Sequence, residues 1–426
     1  MVIMDDKKKK LVPALRFSEF EGEWEDIKYG NIYTFYSTNS FSRDNLNYEK
    51  GIVKNIHYGD IHTKFQTMFD IEKELVPFVN EDINISKIAS DNYCKEKDLV
   101  IADASEDYAD IGKSIEIINL NKERVIAGLH TFLARPNKRD LASGFGGYLM
   151  QSWAIRKQIM TIAQGTKVLG LSTKRVVNVL LTIPTLPEQQ KIANFLSSVD
   201  KKIEQLRQKV SLLEDYKKGV MQQIFSQQIR FKDDNGEAFA DWEYIKLGKL
   251  TYKVGKKNKE NIQYPIYSIN NQEGFLPQSE QFEGMDSNDR GYDISLYKII
   301  KKGTFAYNPA RINVGSIGFS GELDNVIISS LYVCFKTKEN LEDAYLLKFL
   351  DTFDFNKGVL RNVEGGVRQY LFYDNFSSIK IPLPSNKEQL RIADFLNSID
   401  EKIKQNQIKV KQAQQFKKGL LQQLFV

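Results

Sequence analysis

PTLPEQQKIANFLSSVDKKIEQLRQKVSLLEDYKKGVMQQIF, from Pro184 to Phe225, returns from Pro384 to Phe425 as PSNKEQLRIADFLNSIDEKIKQNQIKVKQAQQFKKGLLQQLF. The copies align without a gap at an offset of 200, and roughly half their positions are identical. Glu188/Glu388, Gln189/Gln389, Ile192/Ile392, Phe195/Phe395, Asp200/Asp400 and Gly219/Gly419 are among the shared residues. Internal repetition of this length marks a duplicated structural frame.

Each copy predicts one long helix. Thr185 with Glu188, and Ser385 with Glu388, fit a capping box, in which a hydroxyl caps the first turn and the Glu reaches back. Behind the first box Val199, Ile203, Leu206, Val210, Leu213, Val220 and Ile224 follow a three-four spacing, broken only at Lys217. Such a heptad stripe buries itself against another helix. The second copy keeps Ile399, Ile403, Val410, Leu420 and Leu424 but sets Asn406 in the stripe. A polar residue there can fix register at a cost in stability. Helices of about 40 residues would run roughly 60 Å at 1.5 Å per residue. Pairing the copies with each other predicts an antiparallel coiled coil with an approximate two-fold axis.

A weaker repeat opens each half. Leu15-Arg16-Phe17 leads to Trp24 and on to Gly30, and Ile229-Arg230-Phe231 leads to Trp242 and on to Gly248. The offset here is 218, so the first half is 18 residues longer between its matching ends. No similarity aligns between those ends. The plan is constant–variable–constant–variable–constant, an α+β fold with two different globular modules on one repeated frame. Its expected parts are a first module (1–182), a central helix (183–232), a second module (233–382) and a C-terminal helix (383–426).

The bulk composition agrees with folded modules: 42% hydrophobic and 27% charged residues over 426 positions. No apolar run approaches a membrane span, and the start has no apolar core of the signal-peptide kind, so a cytoplasmic protein is expected. Cys94 and Cys334 are too few for a disulfide framework, and neither has a zinc-ligand neighbour. A net charge of +5 permits nucleic-acid binding without requiring it.

Within the modules, Ile115–Leu120, Val125–Leu133, Ile262–Ile269, Ile312–Phe319 and Val326–Phe335 read as strands. Tyr148–Ala163 and Leu341–Thr352 read as helices. Several loops gather groups able to meet base edges: Asn55, His57, His62 and Lys64 around Gly59; Asn270, Asn271 and Gln272; Asn308, Arg311 and Asn313. Arg368 and Gln369 stand in the loop that Lys167 occupies in the first half. Arg pairs with guanine and Asn or Gln with adenine in the major groove, while Lys holds phosphates. Asn, Asp and Gly are also ordinary turn residues, and a loop His commonly makes a local hydrogen bond.

Enzymatic equipment is missing. Asp107 stands where a Walker A motif ending in Gly112-Lys113-Ser114 needs glycine. Asn308-Pro309-Ala310-Arg311 lacks the second proline and the aromatic of an amino-methyltransferase motif that stacks a flipped base. No catalytic residue or metal ligand set is expected. A self-sufficient DNA-modifying enzyme is the alternative reading, and it would need motifs this chain does not display.

The openings Pro184–Ala193 and Pro384–Ala393, and the endings Lys217–Gln223 and Lys417–Gln423, resemble the conserved helices of type I restriction–modification specificity (S) subunits. Trp24 and Trp242, each followed within a few residues by Lys-x-Gly, resemble the usual opening of a target-recognition domain. The resemblance implies a non-catalytic reader of double-stranded DNA. Each recognition domain would read half of an asymmetric interrupted site, and the coiled coil would set the gap. It further implies that two methyltransferase (M) subunits dock on the paired helices, joined by two restriction/translocase (R) subunits. This chain would bind no cofactor; S-adenosylmethionine, ATP and Mg would serve the partners. On that reading Glu188, Gln189, Ile192, Phe195, Ile203 and Val210, with Glu388, Gln389, Ile392, Phe395, Ile403 and Val410, are the helix positions that pair or meet M.

Overall fold

The structure is a computed structural model describing residues 10–137, 141–271, 273–282, 284–365 and 369–426. The chain divides into two compact units, and the division falls inside the long helices. Unit 1 runs to Arg207 and includes Ile408–Val426; unit 2 is Gln208–Gln407.

Unit 1 contains strands β1 (Glu25–Lys28), β2 (Tyr33–Tyr36) and β3 (Lys54–Ile56), then helix α1 (Tyr58–Thr63). There follow β4 (Met68–Asp70), β5 (Leu99–Ala102), β6 (Ser114–Asn119), β7 (Val125–Ala127) and β8 (Thr131–Pro136). Helix α2 (Trp153–Ile162) and β9 (Leu180–Ile183) lead into α3 (Leu186–Phe225). One sheet has the order β2-β8-β5-β6-β4, and in a second sheet β3 pairs in parallel with β7.

Unit 2 repeats the scheme with β10 (Glu243–Lys246), β11 (Thr251–Val254), β12 (Ile266–Asn270) and β13 (Gly274–Pro277). Next come β14 (Phe305–Tyr307), β15 (Ile317–Phe319), β16 (Val326–Ile328) and β17 (Val333–Thr337). Helix α4 (Phe353–Asn362), β18 (Lys380–Leu383) and α5 (Asn386–Gln423) complete it. The sheet order β11-β17-β14-β15 matches β2-β8-β5-β6, and β12 is parallel to β16 as β3 is to β7. Two modules without alignable sequence therefore share one topology. Both also carry a closing ribbon, β1 antiparallel to β9 and β10 antiparallel to β18.

The offset of 200 reaches further back than the helices. Ser152 caps α2 through Ile155 N, and Thr352 caps α4 through Phe355 N. The bridge Gln164↔Gly170 corresponds to Glu364↔Tyr370. Several elements differ from expectation. The helix expected over Tyr148–Ala163 is two helices, because Ser152 is extended (ψ 147°). Val125–Leu133 and Val326–Phe335 each divide into two strands belonging to different sheets, separated by turns at Gly128–His130 and Ser329–Tyr332. Ile312–Phe319 starts as a 3-10 turn (Ile312–Val314) before β15.

The long helices are shared between the units. In unit 1 the first half of α3 lies antiparallel to the last part of α5: Leu420 and Leu424 join Ile192, Ala193 and Leu196 in one core cluster. In unit 2 Val220, Met221, Ile224 and Phe225 join Ile392, Leu396, Ile399 and Ile403. The stripe break at Lys217 is a polar contact within this packing. Lys217 Nζ meets Asp400 at 2.7 Å, and Lys417 Nζ meets Asp200 at the same distance. Burial opposes ionisation of Asp400, but hydrogen bonds from Lys217 and Lys348 hold its carboxyl below the usual range. The equivalent second partner of Asp200 is the Tyr148 hydroxyl, at 2.8 Å.

The capping box is corrected in part: Ser385 Oγ does accept from Glu388 N, at 3.4 Å, but the two glutamate side chains are engaged elsewhere. Glu188 turns away from the helix start and accepts from Arg16 Nε and Nη2 (both 2.8 Å) and from Trp24 Nε1 (3.3 Å). Glu388 does the same with Arg230 Nε (2.9 Å) and Trp242 Nε1 (2.8 Å). Both carboxylates are buried, so pairing with a guanidinium replaces the lost water. The first turns are also held by Gln189 and Gln389, whose amides donate to the carbonyls of Pro184 and Pro384.

Asn406 is buried in unit 2. Its amide donates to Lys402 O in its own helix, and its Oδ1 has no partner among the described residues. A buried acceptor without a donor costs stability. Asn406→Leu, matching Leu206 in α3, is expected to stabilise unit 2 by about 1 kcal/mol in denaturant melts. Unchanged or lower stability would show that the amide serves pairing.

Candidate nucleic-acid interface

In unit 2 the ends of β12 and β14 and the turn before β17 form a cleft of about 490 Å³. Ser268, Asn270, Asn271, Asn308, Arg311 and Tyr332 supply its polar lining, with Phe282 beside them. Two close backbone approaches build it. Gly274 (φ +71°) lies against Gly318, where a Cβ on Gly318 would stand 2.9 Å from Gly274 Cα. Only glycine permits that contact, which sets the Asn270–Asn271 turn against the Asn308–Ser316 loop. Gly315 (φ +88°) turns the loop back so that Ser316 N reaches Arg311 O at 3.1 Å.

The side chains divide into fixed and free. Asn308 Oδ1 accepts from Ala310 N at 3.0 Å, and Asn270 Oδ1 from Glu273 N at 3.3 Å. Tyr332 is anchored through its hydroxyl, which accepts from Ile269 N at 3.2 Å. Arg311 is exposed, and among the described residues its guanidinium has no carboxylate or carbonyl partner. Asn271 is exposed as well, and Asn313 lies with it in an adjoining cleft of about 330 Å³. Gln369 is exposed. Gln272 and Arg368 lie outside the described residues.

The corresponding loops of unit 1 look different. Asn55 is fully buried and donates to Asn39 Oδ1 at 3.0 Å, so it is a core residue and does not face a base. His57 is likewise corrected: it is buried, and its Nδ1 accepts from Gly59 N at 3.1 Å, capping α1. Burial, with help from the Arg43 charge, pulls its pKa down to about 4, which keeps the ring neutral. His62 is half-buried and its Nε2 contacts Ala104 O at 3.1 Å. Lys64 is exposed but bound to Tyr48 and Asp60, both at 3.0 Å. Lys167 is exposed at the tip of its hairpin. Around Tyr58 stand all three histidines of the chain, at ring-centroid distances of 4.7 Å (His57), 5.8 Å (His62) and 5.3 Å (His130). Among the described residues no group of three His, Cys, Asp or Glu could hold a metal.

The helix positions expected to pair or to meet M serve internal packing first. Glu188, Gln189, Ile192, Ile203, Glu388, Gln389, Ile392 and Ile403 are buried. Phe195 packs edge-on against Phe17, and Phe395 against Phe231. Val210 and Val410 are half-buried. The exposed large side chains on these helices are others, notably Tyr216 and Phe416, which are equivalent at the offset of 200. Sequence reasoning also passed over Tyr332 and His130. Both sat inside apparent strands, and an odd polar residue in an apolar run was the one available signal.

A family model described as the type I restriction modification DNA specificity domain matches residues 21–214 and again 240–413. A Methanocaldococcus jannaschii chain assigned as the MjaX type I restriction enzyme specificity subunit is 27% identical over 360 residues, 79% of this chain and 81% of that one. The MjaVIII specificity subunit of the same organism is 26% identical over 329 residues, 72% and 74% of the two chains. The crystal structure of the type I restriction–modification S subunit from M. genitalium shares the fold, with a TM-score of 0.55, 14% identity and coverage of 97% and 99%. No helix among the described residues is long and apolar enough to cross a membrane.

Proposed function

Since this chain belongs to the type I restriction–modification DNA specificity family, we propose that it reads a two-part DNA site on behalf of catalytic partners, each unit contributing one half. The observation that carries the reading is Arg311, whose guanidinium has no partner among the described residues, in a cleft lined by asparagines. Its fork matches guanine O6 and N7, and the exposed amide of Asn271 matches adenine N6 and N7. Arg311→Ala is expected to relax one G·C position in the half read by unit 2. The discrimination lost there should be about 1–3 kcal/mol, roughly fivefold to 150-fold. Binding competition between matched and mismatched duplexes reads it, and uniform weakening on all sequences would assign Arg311 to phosphate instead.

The partners are two methyltransferase (M) subunits, joined in the restriction complex by two R subunits. S-adenosylmethionine chemistry on adenine belongs to M, and ATP- and Mg-dependent translocation and cleavage belong to R. Tyr216 and Phe416, exposed at equivalent positions of the repeat, support docking of two like subunits. The paired helices set the unread gap. Extending both by about one heptad is expected to change gap length in a map of methylated adenines while both half-sites persist. An altered half-site would refute the ruler.

A further inference from the structure

Shared topology lets the unit 2 cleft be located in unit 1. The cleft sits after β12, after β14 and just before β17. The equivalent points are after β3, after β5 and just before β8. They carry His57 and Tyr58, Asp103, and His130. Asp103 thus stands where unit 2 has Asn308, and His130 where unit 2 has Tyr332.

We infer that unit 1 reads its half of the site through His130 held by Asp103, accepting a hydrogen bond from an exocyclic amino group, cytosine N4 or adenine N6, in the DNA major groove. This rests on the reading of the family and of the unit 2 cleft given above. His130 is exposed, with 51% of its side chain accessible, and its Nδ1 lies 3.4 Å from Asp103 Oδ1. In the neutral ring that carboxylate holds the proton on Nδ1, leaving the Nε2 lone pair outward as an acceptor. Asp103 is less accessible, at 22%, and its position is fixed by its backbone N–H, which donates to His130 O at 3.0 Å. Amino groups distinguish adenine and cytosine from thymine and guanine in that groove.

Two further features single out His130. Its backbone is left-handed (φ +54°), a conformation that is costly for a side chain bearing Cβ. Asp103 and Tyr58 hold it there, since the Tyr58 ring packs edge-on against it. Nearby Arg43 and Lys64 both pair with buried Asp60, so with Asp103 the surroundings of the histidine carry no net charge and do not repel the phosphates.

The test uses the full chain purified with its methyltransferase partner, sequencing duplexes captured from a random double-stranded DNA pool. His130→Ala and His130→Gly are compared with Arg311→Ala. Glycine removes the side chain while relieving the left-handed backbone, so its fold should be at least as stable as wild type. Both His130 variants should lose preference at one base pair, tenfold or more, in the half that Arg311→Ala leaves intact. An unchanged motif in both, with Arg311→Ala effective, overturns the inference about unit 1 alone. Relaxation in the Arg311 half overturns it too, as does uniform loss of capture with wild-type melting. If no variant changes the motif, the unit 2 reading falls as well.

Discussion

Glu188→Ala is expected to destabilise unit 1 by about 3 kcal/mol. The carboxylate is almost wholly buried and takes three hydrogen bonds, two from Arg16 and one from the Trp24 indole. Removing it leaves a guanidinium that is 14% exposed without its counter-ion, and an indole N–H without an acceptor. Arg16 retains the carbonyls of Glu21 and Gly22, which keeps the loss at the lower end for a broken buried pair. Glu188→Gln restores one acceptor and should recover part of the loss. Glu388→Ala should be milder, because Arg230 is 25% exposed and can recruit water. Denaturant unfolding of the three variants checks the order, and equal stability of Glu188→Ala and wild type would refute the argument.

Phe425→Ala is expected to destabilise unit 1, although the residue is next to last in the chain and follows a helix that begins in unit 2. Phe425 is 6% exposed and packs between Trp24 (6.4 Å, edge-on) and Phe145 (5.8 Å). Deleting a buried aromatic ring typically costs about 3–5 kcal/mol. Its equivalent, Phe225, packs on Tyr345 and Phe349, so Phe225→Ala should spare unit 1 and loosen unit 2. Hydrogen exchange resolved by peptide separates the two outcomes. Phe425→Ala should raise exchange in β5 and β8, and Phe225→Ala in β14 and β17. The reverse pattern would mean that the helix ends are wrongly partnered.

The repeat, both helices, the heptad stripe and the interruption at Lys217 were legible because each is a local pattern with a fixed period. Arg311, Asn271 and Asn308 were legible as polar residues of loops punctuated by Gly and Pro, and the structure gathers them along one cleft. Asn55 and His57 were misread. Their neighbourhood carries the same turn residues, but β3 runs through the core and α1 needs a cap, and neither demand shows in composition. The strand breaks at Gly128–His130 and Ser329–Tyr332 stayed hidden because apolar residues flank both sides of each. A run that changes sheets reads like one that does not.

By itself the sequence determined a duplicated frame of two long amphipathic helices carrying two α+β modules, since helical periodicity and self-similarity are properties of the chain alone. Only the tertiary structure decided that Glu188 and Glu388 answer Arg16 and Arg230. It alone decided that each helix ends in the unit where the other begins, and that His130 and Tyr332 occupy the same point of one topology. Those partners lie a hundred or more residues apart, and a buried charge or a turn takes its partner from the closure of the whole core.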